Sequence, residues 1–304
     1  MFNCISIVIR TLNEQRYLGE LLDSISKQDF PTDQAVEVVV VDSGSTDKTI
    51  QIAQSYNCQI VHIKKEEFSF GRALNVGCAV ARGDCLVFIS GHCVPVDTDW
   101  LRNLVSPLNK GCSYSYGRQR GRDTTKFSEQ QLFDKYFPDQ SAIPQVGFFV
   151  NNANAAIRAD VWKRYRFDEE VTGCEDMALG RLLVEQGHCL GYVAEACVFH
   201  IHDEIWTQTK LRYEREAVAL CKIMPEVNVT ASEAIVYFVV GCLKDLRHAR
   251  FVGCLFKEFF NIICFRSAQY YGVYRGNRNA RDVSGEFKLR YYYPRTRNTN
   301  LTRD

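Results

Sequence analysis

The sequence is short of the features that usually assign a chain quickly. It has no Gly-x-x-x-x-Gly-Lys-Ser/Thr and no Gly-x-Gly-x-x-Gly, so the common glycine-rich phosphate cradles are missing. It has no long apolar run: the longest uncharged one, Ala234 to Leu243, is about half of the roughly 20 residues that a bilayer span needs. It has no excess of one charge, with 37 Lys and Arg against 36 Asp and Glu, whereas a duplex-binding domain is strongly basic. Nucleic acid is therefore excluded as the expected partner. The 13 cysteines include no Cys-x-x-Cys pair, are odd in number and often sit in apolar runs (Cys58, Cys85, Cys197, Cys264). They read as reduced core residues of a cytoplasmic protein rather than a disulfide frame. Met1 leads almost directly into Ile5-Ser6-Ile7-Val8-Ile9 without a charged leader or small-residue cleavage site.

What is present is core material and alternation. Apolar residues make up 46% of the 304 and aromatics 12%, enough to exclude disorder, collagen and coiled coil as descriptions of the whole. Short Val/Ile runs at Ile5–Ile9, Val36–Val41, Gln59–Ile63 and Leu86–Ile89 predict strands. Helical patterns at Leu18–Gln28, Asp47–Tyr56 and Gly71–Arg82 lie between them. That order predicts an α/β domain with a mainly parallel, Rossmann-like sheet covered on both faces. A helix after Asp99, a strand near Ser113–Tyr116 and a polar stretch 118–140 follow. Next come a helix over Glu175–Gln186 and two short strands, Cys189–Val193 and Cys197–His200. From Ile205 the pattern is helical, and the last thirty residues read as an irregular basic tail. Charge divides at the same place: residues 1–205 carry 20 basic against 27 acidic side chains, residues 206–304 carry 17 against 9.

Polar clusters follow three of the parallel strands: Arg10-Thr11-Leu12-Asn13-Glu14, Asp42-Ser43-Gly44-Ser45-Thr46-Asp47 and Ser90-Gly91-His92. Open α/β sheets bind ligands at that edge. Two of these segments, with Phe70-Gly71-Arg72-Ala73-Leu74-Asn75, Asn151-Asn152-Ala153-Asn154, Gly173-Cys174-Glu175-Asp176 and His200-Ile201-His202, resemble in order the inverting family 2 glycosyltransferases of GT-A fold. The likeness is nearest to the O-antigen and capsule enzymes, rhamnosyltransferase-like members among them. It implies a catalytic domain over 1–205, with a nucleotide-sugar half to about 110 and an acceptor half from about 111, followed by a helical basic region over 206–304.

The resemblance also implies roles. Arg10, Thr11, Asn13, Glu14, Asp42 and Ser43 would line the base and ribose pocket, with Asp42 accepting from the base imide of a UDP- or dTDP-sugar. Arg72, Asn75, Ser90 and Asn154 would face the donor. Asp176 would be the base that takes the acceptor hydroxyl's proton, with Glu175 beside it. Where the family carries Asp-x-Asp, this chain reads Ser90-Gly91-His92; either a divalent cation, Mn²⁺ or Mg²⁺, would then rest on His92 with His200 and His202, or His92 would donate directly to the leaving diphosphate as an imidazolium. The acceptor would be a glycan or lipid-linked oligosaccharide at the inner leaflet, with Lys244, Arg247, Arg250, Lys257 and Arg266 punctuating apolar helices in the manner of an interfacial segment. A non-catalytic sugar-nucleotide-binding scaffold and a nucleotidyltransferase are the competing readings.

Overall fold

The computed structural model describes residues 2–29, 34–280 and Tyr292. Its first part alternates strand and helix. In chain order these are β1 (Cys4–Thr11), α1 (Leu18–Ser26), β2 (Ala35–Asp42), α2 (Thr49–Ser55), β3 (Gln59–His62), α3 (Phe70–Val80), β4 (Cys85–Ser90) and β5 (Cys93–Pro95). Next come α4 (Trp100–Asn109), β6 (Tyr114–Arg120), α5 (Phe127–Tyr136), β7 (Asn154–Arg158), α6 (Ala159–Arg164), α7 (Glu175–Glu185) and β8 (Leu190–His200). Three helices close the described chain: α8 (Trp206–Ile223), α9 (Ala231–Phe251) and α10 (Leu255–Asn279).

One eight-stranded sheet runs β3-β2-β1-β4-β7-β6-β8-β5. Its first four strands are parallel; β7 is antiparallel to both neighbours and β5 is antiparallel to β8. The sheet is thus mixed α/β rather than parallel throughout. Side-chain alternation splits the core in two. Ile5, Ile7 and Ile9 of β1 pack with Leu21 and Leu22 of α1 and Trp100, Leu101 and Leu104 of α4. Val8, with Val39, Val41 and Phe88, packs on the other face against Leu74 of α3 and Leu179 and Leu183 of α7.

Several details depart from the sequence reading. The two short strands expected at 189–193 and 197–200 are one continuous strand, β8, whose two parts, Leu190–Val193 and Val198–Phe199, both pair with β6 across a register shift between Gly117 and Gln119. The polar stretch 118–140 contains α5, which packs Phe133 into the core, with Phe137 following just past its end. The tail expected over the last thirty residues begins as helix, since α10 reaches Asn279. Beyond residue 280 it lies, except for Tyr292, outside the described residues.

The C-terminal helices are held by close approach and by one buried ion pair. Thr230 and Glu233 form a reciprocal cap at the start of α9. Arg266 of α10 donates twice to Asp245 of α9, at 2.7 and 2.9 Å, with both side chains buried. Gly272 and Gly276 let α10 lie against α8: a Cβ on Gly276 would stand 2.3 Å from the Glu214 carbonyl oxygen and 2.7 Å from Ala217 Cβ. Gly276→Ala is therefore expected to cost about 1–3 kcal/mol, read as a lowered urea midpoint; an unchanged midpoint would contradict this packing.

Candidate active site

Register assembles the rim. β1 pairs in parallel with β2 so that Thr11 faces Asp42, and with β4 so that Arg10 faces Ser90. The loops beyond are stitched together. Asn13, at φ 58°, donates through its backbone to Ser45 Oγ at 2.8 Å and accepts from Thr46 N at 2.8 Å. Glu14 N donates to Thr49 Oγ1 and Gln15 N to Asp47. Ser43 Oγ donates to the Thr11 carbonyl. Asp42 is 1% exposed. One of its oxygens accepts from Thr11 Oγ1 and Ser45 Oγ, the other from the Gly44 and Ser45 amides. Four donors fill the roughly four lone-pair sites of a carboxylate, so a base imide would reach Asp42 only in exchange with one of these donors, such as the Thr11 or Ser45 hydroxyl.

Two expected donor contacts are corrected. Asn75 is buried, donates to the Phe167 carbonyl and Glu169, and accepts from Trp162 Nε1 and Phe167 N. Its whole amide holds the 162–169 segment. Asn154 is fully buried, donates to the Arg118 and Ala196 carbonyls and accepts from Trp100 Nε1. Both amides are spent where buried polar groups must be satisfied. Arg72 divides its guanidinium between Glu67 at 3.5 Å and Glu169 at 3.3 Å.

At the head of α7 two acids are buried side by side. Cys174, left-handed at φ 53°, turns the chain into the helix. Glu175 lies 2.7 Å from Arg10 Nη1, and Arg10 stacks over the Phe70 ring at 4.9 Å. Asp176 accepts from the Asn152 and Met177 amides, both at 2.8 Å. Burial, and then the neighbouring Glu175 charge, outweigh those bonds and the Arg10 charge and raise the Asp176 carboxyl to about 7. Asn152, whose stretch the family resemblance sets near the sugar or acceptor, also reaches toward Glu175 at 3.5 Å and accepts from the Tyr114 hydroxyl.

Beside them three imidazoles converge. β5 pairs Cys93 with His200, and the His92 carbonyl accepts from Ile201 N at 3.2 Å. That antiparallel seat brings His92 against His200 and His202, with one potential ligand atom of each ring within 4.8 Å of the others. Each ring uses Nδ1 outward: His92 to Glu14 at 2.8 Å, His200 to Gln119 at 2.7 Å and His202 to Glu129 at 2.8 Å. Glu14 thus engages His92 through Oε1, and Gly91 makes its path, since a Cβ there would meet Glu14 Cγ at 2.8 Å. Arg212 clamps Glu129 at 2.6 Å and Glu204 at 2.9 Å. Although burial pushes the Glu129 carboxyl up, His202 and Arg212 hold it down at about 2. Burial, then the charges of His202 and His92, pushes His200 well below its ordinary value. Glu129 and Arg212 carry no motif, and Gln119 closes the segment Tyr116-Gly117-Arg118-Gln119, which resembles one recurring in a subgroup of the family but implies no role; all three roles exist only once β6, α5 and α8 meet β8.

This set fits a metal ion. Rings whose Nδ1 atoms are engaged by carboxylate or amide oxygens present Nε2 lone pairs, the outer-shell pattern that orients histidine ligands. An all-nitrogen set suits Mn²⁺ and the later first-row ions better than Mg²⁺. Arg10 links the two clusters, its charge being felt by both His92 and Asp176.

The sequence pattern of glycosyl transferase family 2 matches residues 6–166, more than half of the chain. The chain belongs to glycosyl transferase family 2. Among curated relatives of this transferase, the O-antigen chain rhamnosyltransferase RfbN of Salmonella typhimurium is 28% identical over 219 residues, 66% of this chain and 67% of RfbN. The rhamnosyltransferase WbaN of Salmonella anatum is 29% identical over 196 residues, 60% of this chain and 62% of WbaN. Among solved structures, the mannosyltransferase PcManGT of Pyrobaculum calidifontis, in complex with GDP-Man and Mn²⁺, aligns with a TM-score of 0.61 at 16% identity, over 88% of this chain and 85% of that one. The shared architecture is the GT-A fold. No helix among the described residues is long and apolar enough to cross a membrane.

Arg10 neutralises a Glu175 side chain that is only 4% exposed. Arg10→Met is expected to destabilise the glycosyltransferase by about 3 kcal/mol through the stranded charge, and adding Glu175→Gln should recover most of it. Thermal unfolding of the single and double variants reads this; equal loss in both would show that the pair is not coupled.

Proposed function

We propose that this glycosyltransferase moves one sugar, with inversion, from a UDP- or dTDP-sugar to a hydroxyl of a glycan or lipid-linked oligosaccharide in surface polysaccharide synthesis, at the inner face of the membrane. The observation that carries the chemistry is Asp176: a buried carboxyl raised to about 7, on the same rim as the ends of β1 and β4. The O-antigen relatives support the acceptor class.

The acceptor hydroxyl attacks the anomeric carbon and forms the new C–O bond as the bond to the diphosphate breaks and its electron pair leaves with the nucleotide. Asp176 takes the hydroxyl proton, a role favoured in a carboxylate whose proton affinity sits near the working pH. Glu175, held by Arg10 at 2.7 Å, raises that affinity through its neighbouring charge. Asn152 holds Asp176 through its backbone amide. His92, His200 and His202 are the residues that would hold a divalent cation, whose positive charge would offset that of the departing diphosphate.

Asp176→Asn is expected to lower transfer by about 10²–10⁴-fold while leaving donor binding intact. Only the ionised carboxyl accepts a proton, so the wild-type rate should climb as pH rises through about 7. Nucleoside diphosphate release with pooled lipid-linked acceptors measures both. A variant with full rate, or a wild-type rate that falls across that interval, would exclude Asp176 as the base.

A further inference from the structure

The hairpin of α9 and α10 leaves apolar surface uncovered around its turn. α9 buries Ala234, Cys242, Asp245 and Ala249 along a single stripe. Its outward side presents Ile235, Val239 and Leu243 at a spacing of four residues, all exposed. That face runs into the turn, where Phe251, Phe256 and Phe260 stand 87%, 97% and 76% exposed. One exposed Phe asks for no explanation, but several clustered on one turn mark a surface that docks against something.

Charge selects the occupant. Lys244, Arg247, Arg250 and Lys257 are exposed beside these rings. The two acids of the same stretch are turned to protein partners: Asp245 is buried against Arg266, and Glu258 lies 3.7 Å from Lys257 Nζ and accepts from Asn261. Cations surrounding aromatic side chains match an anionic lipid surface, with rings at the acyl boundary and cations among the phosphates. A second copy meeting the same face across a two-fold axis would bring these cations toward their equivalents. We infer that the α9–α10 turn is a docking surface for an anionic membrane, inserting Phe251, Phe256 and Phe260 and setting Lys244, Arg247, Arg250 and Lys257 on headgroup phosphates. This rests on the proposed membrane-side acceptor for its purpose, while the surface itself does not depend on what is transferred.

The test is flotation of the full chain with phosphatidylcholine vesicles, with and without phosphatidylglycerol, at low and high salt. One variant replaces Phe251, Phe256 and Phe260 by Ser; another replaces Lys244, Arg247, Arg250 and Lys257 by Gln. All seven side chains are exposed, and circular dichroism checks that the folds match. The wild type is expected to float only with phosphatidylglycerol and to be released by salt, with each variant losing about tenfold or more of its partitioning. A wild type that stays at the bottom would overturn the proposal, and so would a Phe variant that floats equally well. A wild-type dimer that the Phe variant makes monomeric, without flotation, would assign the face to a second copy instead. Calorimetric binding of UDP and dTDP to the same samples keeps the questions apart: wild type and variants should bind alike. Loss of binding in all of them would undermine the transferase reading and leave the flotation result standing.

Discussion

The parallel register of β1 with β2 and β4 is the constraint on which the site depends. It sets Thr11 opposite Asp42 and Arg10 opposite Ser90, so three polar loops leave the sheet at one height. A slip of one residue would reverse every side chain of β1, sending Ile5, Ile7 and Ile9 out of one core layer and Val8 out of the other. The apolar cost of that exchange fixes the polar geometry: the buried aliphatic residues hold the rim in place, and the rim residues need contribute little to folding themselves.

On that rim two buried charge systems meet at Arg10. One consists of Glu175 and Asp176, where a single cation serves two acids and leaves the second with raised proton affinity. The other is the imidazole cluster, backed by Glu14, Gln119 and Glu129 and braced from α8 by Arg212. The helical C-terminal part therefore does more than cover the sheet: through Arg212 it fixes the carboxylate that orients His202. A histidine in place of the family's acidic element moves the negative charge one layer outward, from the ligand position to the residue behind it.

The framework was legible because continuous Val and Ile runs have few alternatives: the ends of β1, β2, β3 and β4 lie within two residues of the spans expected from the sequence pattern. The candidate base and the three histidines could be named because they fall in ordered motifs. Other features were illegible for physical reasons. Asn75 and Asn154 look like ligand-facing amides in sequence, yet burial obliges them to satisfy backbone groups from segments far along the chain. β5 is three residues long, and only its pairing with β8 makes it a strand. Glu129 lies on a helix with little apolar signature, and its partners are 73 and 83 residues away. Long-range pairing of this kind leaves no local trace.

The central proposal is that His92, His200 and His202 would hold the cation that meets the donor diphosphate, where the family uses carboxylates. The most direct measurement is calorimetric titration of the protein with UDP, dTDP and GDP, each with Mn²⁺, with Mg²⁺ and with excess chelator, repeated on His92→Ala. The account predicts tight binding of UDP or dTDP with Mn²⁺, weaker binding with Mg²⁺ or chelator, and loss of the Mn²⁺ enhancement in His92→Ala. Nucleotide binding that is indifferent to metal and unchanged in His92→Ala would contradict it.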